Sequence, residues 1–195
     1  DQAVSNVLFN KFRLGLFEHP YVDPDRAERV NGSDEHRRIA YRAAAEAMVL
    51  LKNDDQLLPL DKEQVKRIAL IGPNADRCIL GGYSGMPKDT ITPLRALRER
   101  YGDRMEILYA EGCRLTDHNS PFPYTIRPFT ASENALKIQQ AIEVAEQADV
   151  VVLFLGGNEA MSREAYDWNA LGDLASFDLI AGQRELIRAI AALDK

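Results

Sequence analysis

Positive charge and long apolar runs are both scarce in this 195-residue chain. Its 24 basic and 30 acidic side chains leave a net charge of -6, and binding to nucleic acid requires a concentrated positive surface. No apolar run approaches the roughly 18 residues that a membrane-spanning helix needs. We therefore expect neither a nucleic acid nor a membrane among its partners.

Cysteine and histidine are also rare. The only two cysteines, Cys78 and Cys113, show neither metal-ligand spacing nor a CxxC motif. We expect two buried free thiols, with one disulfide as the alternative if the parent protein is exported. No partner is recognisable for His19, His36 or His118, so all three are assigned to structural roles. The sequence predicts no metal site.

The first 33 residues are predicted to form a helix end followed by a linker. Apolar residues recur at helical spacing up to Phe12, and Gly15 then favours a helix end. No signal-peptide pattern opens the chain, which starts directly in what reads as the middle of a helix, so we expect that it was cut from a longer protein. Residues 17–33 contain two prolines and an Asn-Gly pair, which predict an irregular linker.

Residues 34–195 are predicted to form a second unit in which helices alternate with short apolar strands. The patterns predict strands near 67–71, 105–109 and 150–155, and helices near 35–52, 92–101, 133–147 and 182–193. The first three helices have predicted N-caps, Ser33, Thr92 and Ser132. Continuous apolar strands of this kind predict an α/β fold, a parallel sheet with helices on both faces. Ligands bind such sheets beyond the carboxyl ends of the strands.

The segment "GGNEAMSREAYDW" follows the third strand and carries the strongest candidate chemistry. It belongs to a connection longer than most and contains two carboxylates, Glu159 and Glu164. Either glutamate taken alone is most often a solvated loop residue. The neighbouring Arg163, Tyr166 and Trp168 favour a sugar site, because aromatic faces stack on sugars and partial burial can raise the pKa of a carboxylic acid.

Two glycine-bearing segments follow the first strand. "GPNAD" lacks the spacings of phosphate-binding loops, so a flavodoxin-like nucleotide-binding domain is a weak alternative. "GGYSG" is more often a tight turn than a platform for a ligand. In the second interpretation it would present Tyr83 to that ligand.

Several motifs, in order along the chain, resemble glycoside hydrolase family 3, which includes β-glucosidases and β-xylosidases. They are "KFRLGLFEHPYVDP", "HRRIAYRAAAEAMVLLKNDDQLLPL", "RIALIGPNAD" and "GGYSG", supported by "YSGMPKDTITPLRAL" and "YAEGC". The resemblance covers essentially the whole chain. It implies a two-domain retaining exo-glycosidase, in which an (α/β)8 barrel supplies an aspartate nucleophile and a six-stranded α/β sandwich supplies a glutamate acid/base.

The resemblance also implies roles for individual residues. "SREAYDW" occupies the place of the family's "EG.DR"-like acid/base segment, which makes Glu164 the acid/base and Glu159 the fallback. The segment differs from that pattern by Ala165, where many relatives have glycine, and by the missing "DR". Tyr83 matches an aromatic at the site entrance and would form a wall of the aglycone subsite. The implied substrate-binding residues are Tyr83, Ser84, Arg163, Tyr166 and Trp168.

For the chain as a whole, the resemblance implies that residues 1–33 are the barrel end and interdomain linker, and that residues 34–195 are a truncated sandwich. The substrate would be an oligosaccharide or aryl glycoside, no cofactor is required, and the segment without its barrel would be inactive. A periplasmic or secreted location is favoured, with the cytoplasm left open. The alternative from another class is a non-catalytic carbohydrate-binding or scaffold module of the same fold.

Overall fold

The structure is a computed structural model that describes residues 1–80, 84–85, 87, 89–117, 126–161 and 176–195. Contacts within the chain divide it into two compact units, Asp1–Leu58 and Pro59–Lys195. The predicted domain division between residues 33 and 34 concerns the whole parent protein and stays a prediction. None of the helices formed by the described residues is long and apolar enough to span a membrane.

The first unit contains three helices, α1 (Gln2–Arg13), α2 (Pro24–Val30) and α3 (Asp34–Ala47), and a short 3-10 turn at Asp54–Gln56. The end of α1 just before Gly15 confirms the predicted helix end. The prediction of an irregular linker was wrong for α2. The Asp23 carboxylate caps this helix by accepting from the Asp25 N–H, and proline at the first helical position suits its fixed φ.

Helix α3 begins as predicted but ends earlier than expected. Ser33 caps it by accepting from the N–H of His36, as the sequence indicated. The helix stops at Ala47, whereas the prediction extended it to residue 52, and Met48 then leaves with extended backbone angles. Met48 opens a run of four consecutive apolar residues, and such a run cannot lie on one face of a helix. All four side chains are exposed.

The second unit is built on a parallel sheet of β1 (Arg67–Ile71), β2 (Glu106–Ala110) and β3 (Val150–Leu153). The strand order is β2-β1-β3, which confirms the predicted parallel sheet. Ile71 pairs with Ala110 on one side and with Leu153 on the other. The carboxyl ends of the three strands are therefore level, and their loops leave from the same edge.

Helices cover both faces of this sheet, as predicted. Helix α4 (Pro93–Tyr101) packs on the face that presents Ile68 and Leu70. Helices α5 (Ala135–Glu146) and α6 (Gln183–Ala191) pack on the face that presents Ala69 and Ile71. The elements of this unit begin and end within two residues of their predicted bounds.

The approach to α5 differs from the prediction, which made Ser132 the cap. Thr130 and Glu133 form a reciprocal pair instead: the Glu133 N–H donates to Thr130 Oγ1 (3.2 Å) and the Thr130 N–H donates to Glu133 Oε2 (2.8 Å). This is the geometry of a capping box, here one turn before the helix begins. Arg127 also binds Glu133, and its hydrogen bonds, followed by those from Thr130, lower the pKa of Glu133 to about 2.

Candidate functional site

The loops after β1 and β3 make a close backbone contact where they leave the sheet. Gly72, the glycine of "GPNAD", has a φ of +134°, and a Cβ at this position would lie 2.2 Å from the carbonyl oxygen of Phe154. Only glycine fits such an approach. The contact between the two loops thus accounts for this glycine without a bound phosphate.

Gln183 holds both ends of the loop between β3 and α6. Its side-chain Oε1 accepts from the N–H of Gly156 (2.9 Å), and its Nε2 donates to the carbonyl of Ile180 (3.0 Å). The side chain is fully buried at the start of α6. One amide therefore fixes the root of the loop to which Glu164 belongs in the sequence.

Asn134 joins that loop to the one after β2. Its side-chain Oδ1 accepts from the N–H of Arg114 (2.8 Å), and its Nδ2 donates to the carbonyls of Arg114 (3.0 Å) and Ala181 (2.7 Å). This amide is also fully buried. Because buried amides with all these bonds satisfied are costly to disturb, the bases of both loops form one rigid platform.

The first residues of "GGNEA" are fixed by two further asparagines. Asn158 donates to the hydroxyl of Thr116 on the loop after β2 (3.0 Å) and accepts from the N–H of Ala160 (3.1 Å). Asn74, on the loop after β1, donates to the carbonyl of Gly157 (3.3 Å). The start of the loop after β3 is thus bound to both neighbouring loops.

Glu159, the fallback candidate, is engaged within the protein through both carboxylate oxygens. Oε2 lies 3.2 Å from Nη2 of Arg77, and Oε1 accepts from the N–H of Leu80 at 3.1 Å. Its side chain is 12% exposed. A general acid/base must present an oxygen to the leaving group and then to water. This arrangement instead suits a carboxylate that ties two loops together.

Tyr83, Arg163, Glu164, Tyr166 and Trp168 lie outside the described residues, as does His118. Their roles stay predictions. Ser84 is described: its side chain is exposed and its hydroxyl donates to the carbonyl of Leu80.

The two cysteines are free thiols in the structure. Cys113 is fully buried as predicted, whereas Cys78 is only half-buried. Burial, together with the negative charge of Glu111, raises the pKa of the Cys113 thiol to about 12. This thiol is therefore a poor nucleophile at neutral pH. Within the described part of the chain, no group of three or more histidine, cysteine, aspartate or glutamate side chains is arranged to hold a metal ion.

Comparison with known proteins identifies the family. Residues 48–195 match the model of the glycosyl hydrolase family 3 C-terminal domain. The chain belongs to glycoside hydrolase family 3. This confirms the resemblance carried by the sequence motifs.

Individual members of the family resemble this chain along almost its whole length. A β-xylosidase from Formosa agariphila is 35% identical, in an alignment that covers 97% of this chain and 24% of that protein. The structure of a β-glucosidase from Erythrobacter marinus superimposes with a TM-score of 0.85 and 36% identity, covering 95% of this chain and 26% of the other. A β-glucosidase from Listeria innocua, solved in complex with glucose, gives a TM-score of 0.67 at 32% identity, with coverages of 95% and 22%. This family 3 chain therefore spans about a quarter of the length of these relatives.

Sequence reasoning did not find the residues that organise this site, namely Arg77, Asn134 and Gln183. The available signal was weak: Asn134 and Gln183 are amides at the starts of helices, where they could equally be exposed. Arg77 gave no signal at all, because its partner Glu159 lies 82 residues away in the chain.

Proposed function

We propose that this chain is the C-terminal part of a retaining, exo-acting β-glycosidase that removes terminal β-D-glucosyl or β-D-xylosyl residues from oligosaccharides or aryl glycosides. Family membership carries the proposal, since the matched relatives include a β-xylosidase and β-glucosidases. The aspartate nucleophile belongs to an (α/β)8 barrel domain of the same protein. The segment described here contributes the acid/base and does not hydrolyse glycosides without that barrel.

Glu164 is the proposed acid/base. Retaining hydrolysis uses two carboxyl groups about 5 to 5.5 Å apart: one attacks the anomeric carbon and the other protonates the leaving oxygen. The second group then takes a proton from the water that releases the sugar. The engagement of both Glu159 oxygens by Arg77 and Leu80 supports Glu164 as the glutamate of this loop that faces substrate.

The anchored loop root supports the same assignment. A carboxylate that serves a sugar held by another domain has to project from the sheet, and its loop then needs a fixed base. Gln183 provides such a base by joining the two ends of the loop. The proposed aglycone contacts are Tyr83, Ser84, Arg163, Tyr166 and Trp168.

The test is the Glu164→Gln variant of the full-length protein, assayed on aryl β-glucosides and β-xylosides of graded leaving-group ability. Turnover of substrates with poor leaving groups should fall about 10²- to 10⁴-fold, because positioned proton transfer is lost. Substrates with good leaving groups should lose less in the first step. Added azide should accelerate the second step by attacking the glycosyl-enzyme to give the β-glycosyl azide.

Two results would contradict the proposal. Wild-type rates of Glu164→Gln on poor leaving groups would remove Glu164 from the mechanism. A full-length wild-type protein that binds these glycosides without hydrolysing them would favour the carbohydrate-binding or scaffold module instead.

A further inference from the structure

Glu159 bridges two loops that lie far apart in the chain. Its carboxylate, on the loop after β3, binds the Arg77 guanidinium and the Leu80 N–H, both on the loop after β1. The side chains of Glu159 and Arg77 are only 12% and 26% exposed. Partial burial of this kind strengthens a charge-assisted hydrogen bond relative to an ion pair on the surface.

Leu80 is held on both sides of its peptide backbone. Its N–H donates to Glu159, and its carbonyl accepts from the hydroxyl of Ser84. Leu80 and Ser84 flank residues 81–83, the part of "GGYSG" that contains Tyr83. Glu159 therefore anchors, from the neighbouring loop, the root of the segment that carries the proposed aglycone wall.

The residues just before Glu159 are held by hydrogen bonds to the rest of the fold. The preceding residue, Asn158, is buried and bonded to Thr116. Two residues earlier in the chain, Gly156 is bonded to the buried Gln183. Glu164 follows Glu159 by five positions in the same loop. A displacement of Glu159 would therefore also shift the anchors of the segment that contains Tyr83 and the residues that lead to Glu164.

We propose that Glu159 and Arg77 form a positioning pair that holds the loops after β1 and β3 in register and thereby sets how the enzyme discriminates among aglycones. The inference rests on the proposed function, and assigns to Glu159 a role different from proton transfer. The pair touches neither the sugar nor the reacting atoms. It acts through the loop segments that it joins.

The experiment uses the full-length enzyme with Glu159→Gln, Arg77→Gln and the double variant. One substrate series keeps the sugar constant and enlarges the aglycone from methyl to a second and a third sugar unit. A second series uses aryl glycosides of similar size and graded leaving-group ability. Discrimination between large and small aglycones is measured as a ratio of kcat/KM values. This ratio should change by between about tenfold and about a hundredfold, as expected for misplaced binding groups.

Three further results are expected if the pair acts as a unit. The double variant should be no worse than the more damaging single variant, because each single change already breaks the same contact. The dependence of rate on leaving-group ability should stay as in wild type, and azide should give no rescue. Arg77→Lys, which retains a cation, should keep most of the wild-type discrimination.

The exposed ion pair between Arg188 and Glu185 on α6 offers a matched control, since its side chains are 69% and 47% exposed. Arg188→Gln and Glu185→Gln should leave the aglycone discrimination unchanged. Each variant is also followed by thermal unfolding. A loss of activity that is equal for all aglycones and tracks falling stability would mean that the pair only supports the fold, and would overturn the inference.

Two other outcomes separate this inference from the proposed function. Leaving-group dependence and azide rescue in Glu159→Gln would make Glu159 the acid/base and overturn the positioning role. If Glu164→Gln shows no rescue while Glu159→Gln still alters aglycone discrimination, the acid/base assignment fails and the positioning pair stands. Unchanged discrimination in every variant of the pair would refute it.

Discussion

Replacing Gln183 by leucine tests whether one buried amide holds the loop that connects β3 to α6. Leucine has a similar volume and can fill the space of the side chain, but it forms no hydrogen bonds. The substitution removes the acceptor for the Gly156 N–H and one of two donors to the Ile180 carbonyl, which still accepts from the backbone N–H of residue 183 at 3.4 Å. The Gly156 N–H would then lose its partner at a site where the side chain of residue 183 is fully buried.

The expected loss comes mainly from the Gly156 N–H, with a smaller part from the weaker bonding of the Ile180 carbonyl. A buried polar group left without a partner costs about 1 to 3 kcal/mol. Gly156 and Ile180 are themselves only half-buried, so water can partly replace the amide and the loss stays within that range. We therefore expect Gln183→Leu to lower the free energy of unfolding by about 1 to 3 kcal/mol. In a protein of this size that corresponds to a fall in Tm of about 2 to 12 °C.

Urea unfolding of the chain, followed by circular dichroism, measures the effect as a lower midpoint at an unchanged slope. Gln140→Leu, an exposed glutamine on α5, is the matched control and should stay within about 0.5 kcal/mol of wild type. Hydrogen exchange at the Gly156 N–H should be faster in Gln183→Leu than in either wild type or Gln140→Leu. Equal midpoints and equal Gly156 exchange in the two variants would refute the tethering role of Gln183.

Two further predictions concern the scaffold of the site. Gly72→Ala should destabilise the chain by more than about 4 kcal/mol in urea unfolding, because strain at positive φ adds to the clash with the Phe154 carbonyl. Gly157→Ala, whose Cβ would lie 3.9 Å from the nearest atoms, should stay within about 1 kcal/mol of wild type, and similar losses in the two variants would contradict this reasoning. Glu133→Gln should flatten the loss of stability between pH 4.5 and pH 2: Arg127 lowers the pKa of Glu133 in the fold, so its stabilising contribution is full above pH 4.5 and disappears as pH falls towards 2. Parallel pH profiles of wild type and variant would count against it.

The sheet was predictable because helices cover it on both faces, so its strands are apolar on both sides. A strand such as β1 then reads as an unbroken apolar run, whatever packs on it, and helices between the strands imply a parallel order. The ends of α2 and α3 were harder to predict. Proline and a turn pair suggested irregular backbone between residues 17 and 33, yet Asp23 and Pro24 are also what starts a short helix.

The site was less predictable than the sheet, because its organising contacts are non-local. Asn134 and Gln183 look in the sequence like ordinary polar residues at helix starts. Their importance comes from burial and from partners on other loops, such as Arg114 and Gly156. Neither property has a local sequence signal, so a motif search finds the candidate acids and aromatics but not the side chains that hold their loops.

The choice between Glu159 and Glu164 shows why composition alone could not assign roles. Both are loop glutamates in one segment, five positions apart, and the aromatic residues that favour a sugar site follow both of them in the sequence. What separates them is the environment that the fold supplies to Glu159. Arg77 and Leu80, both on the loop after β1, bind both of its carboxylate oxygens. A proton donor would instead need an oxygen free to contact the substrate. Two carboxylates in one loop can therefore divide the work, one fixing the geometry and one performing the chemistry. Loss of the acid/base should change how the rate depends on leaving-group ability, whereas loss of positioning should change how it depends on aglycone size. One set of variants therefore distinguishes the two roles.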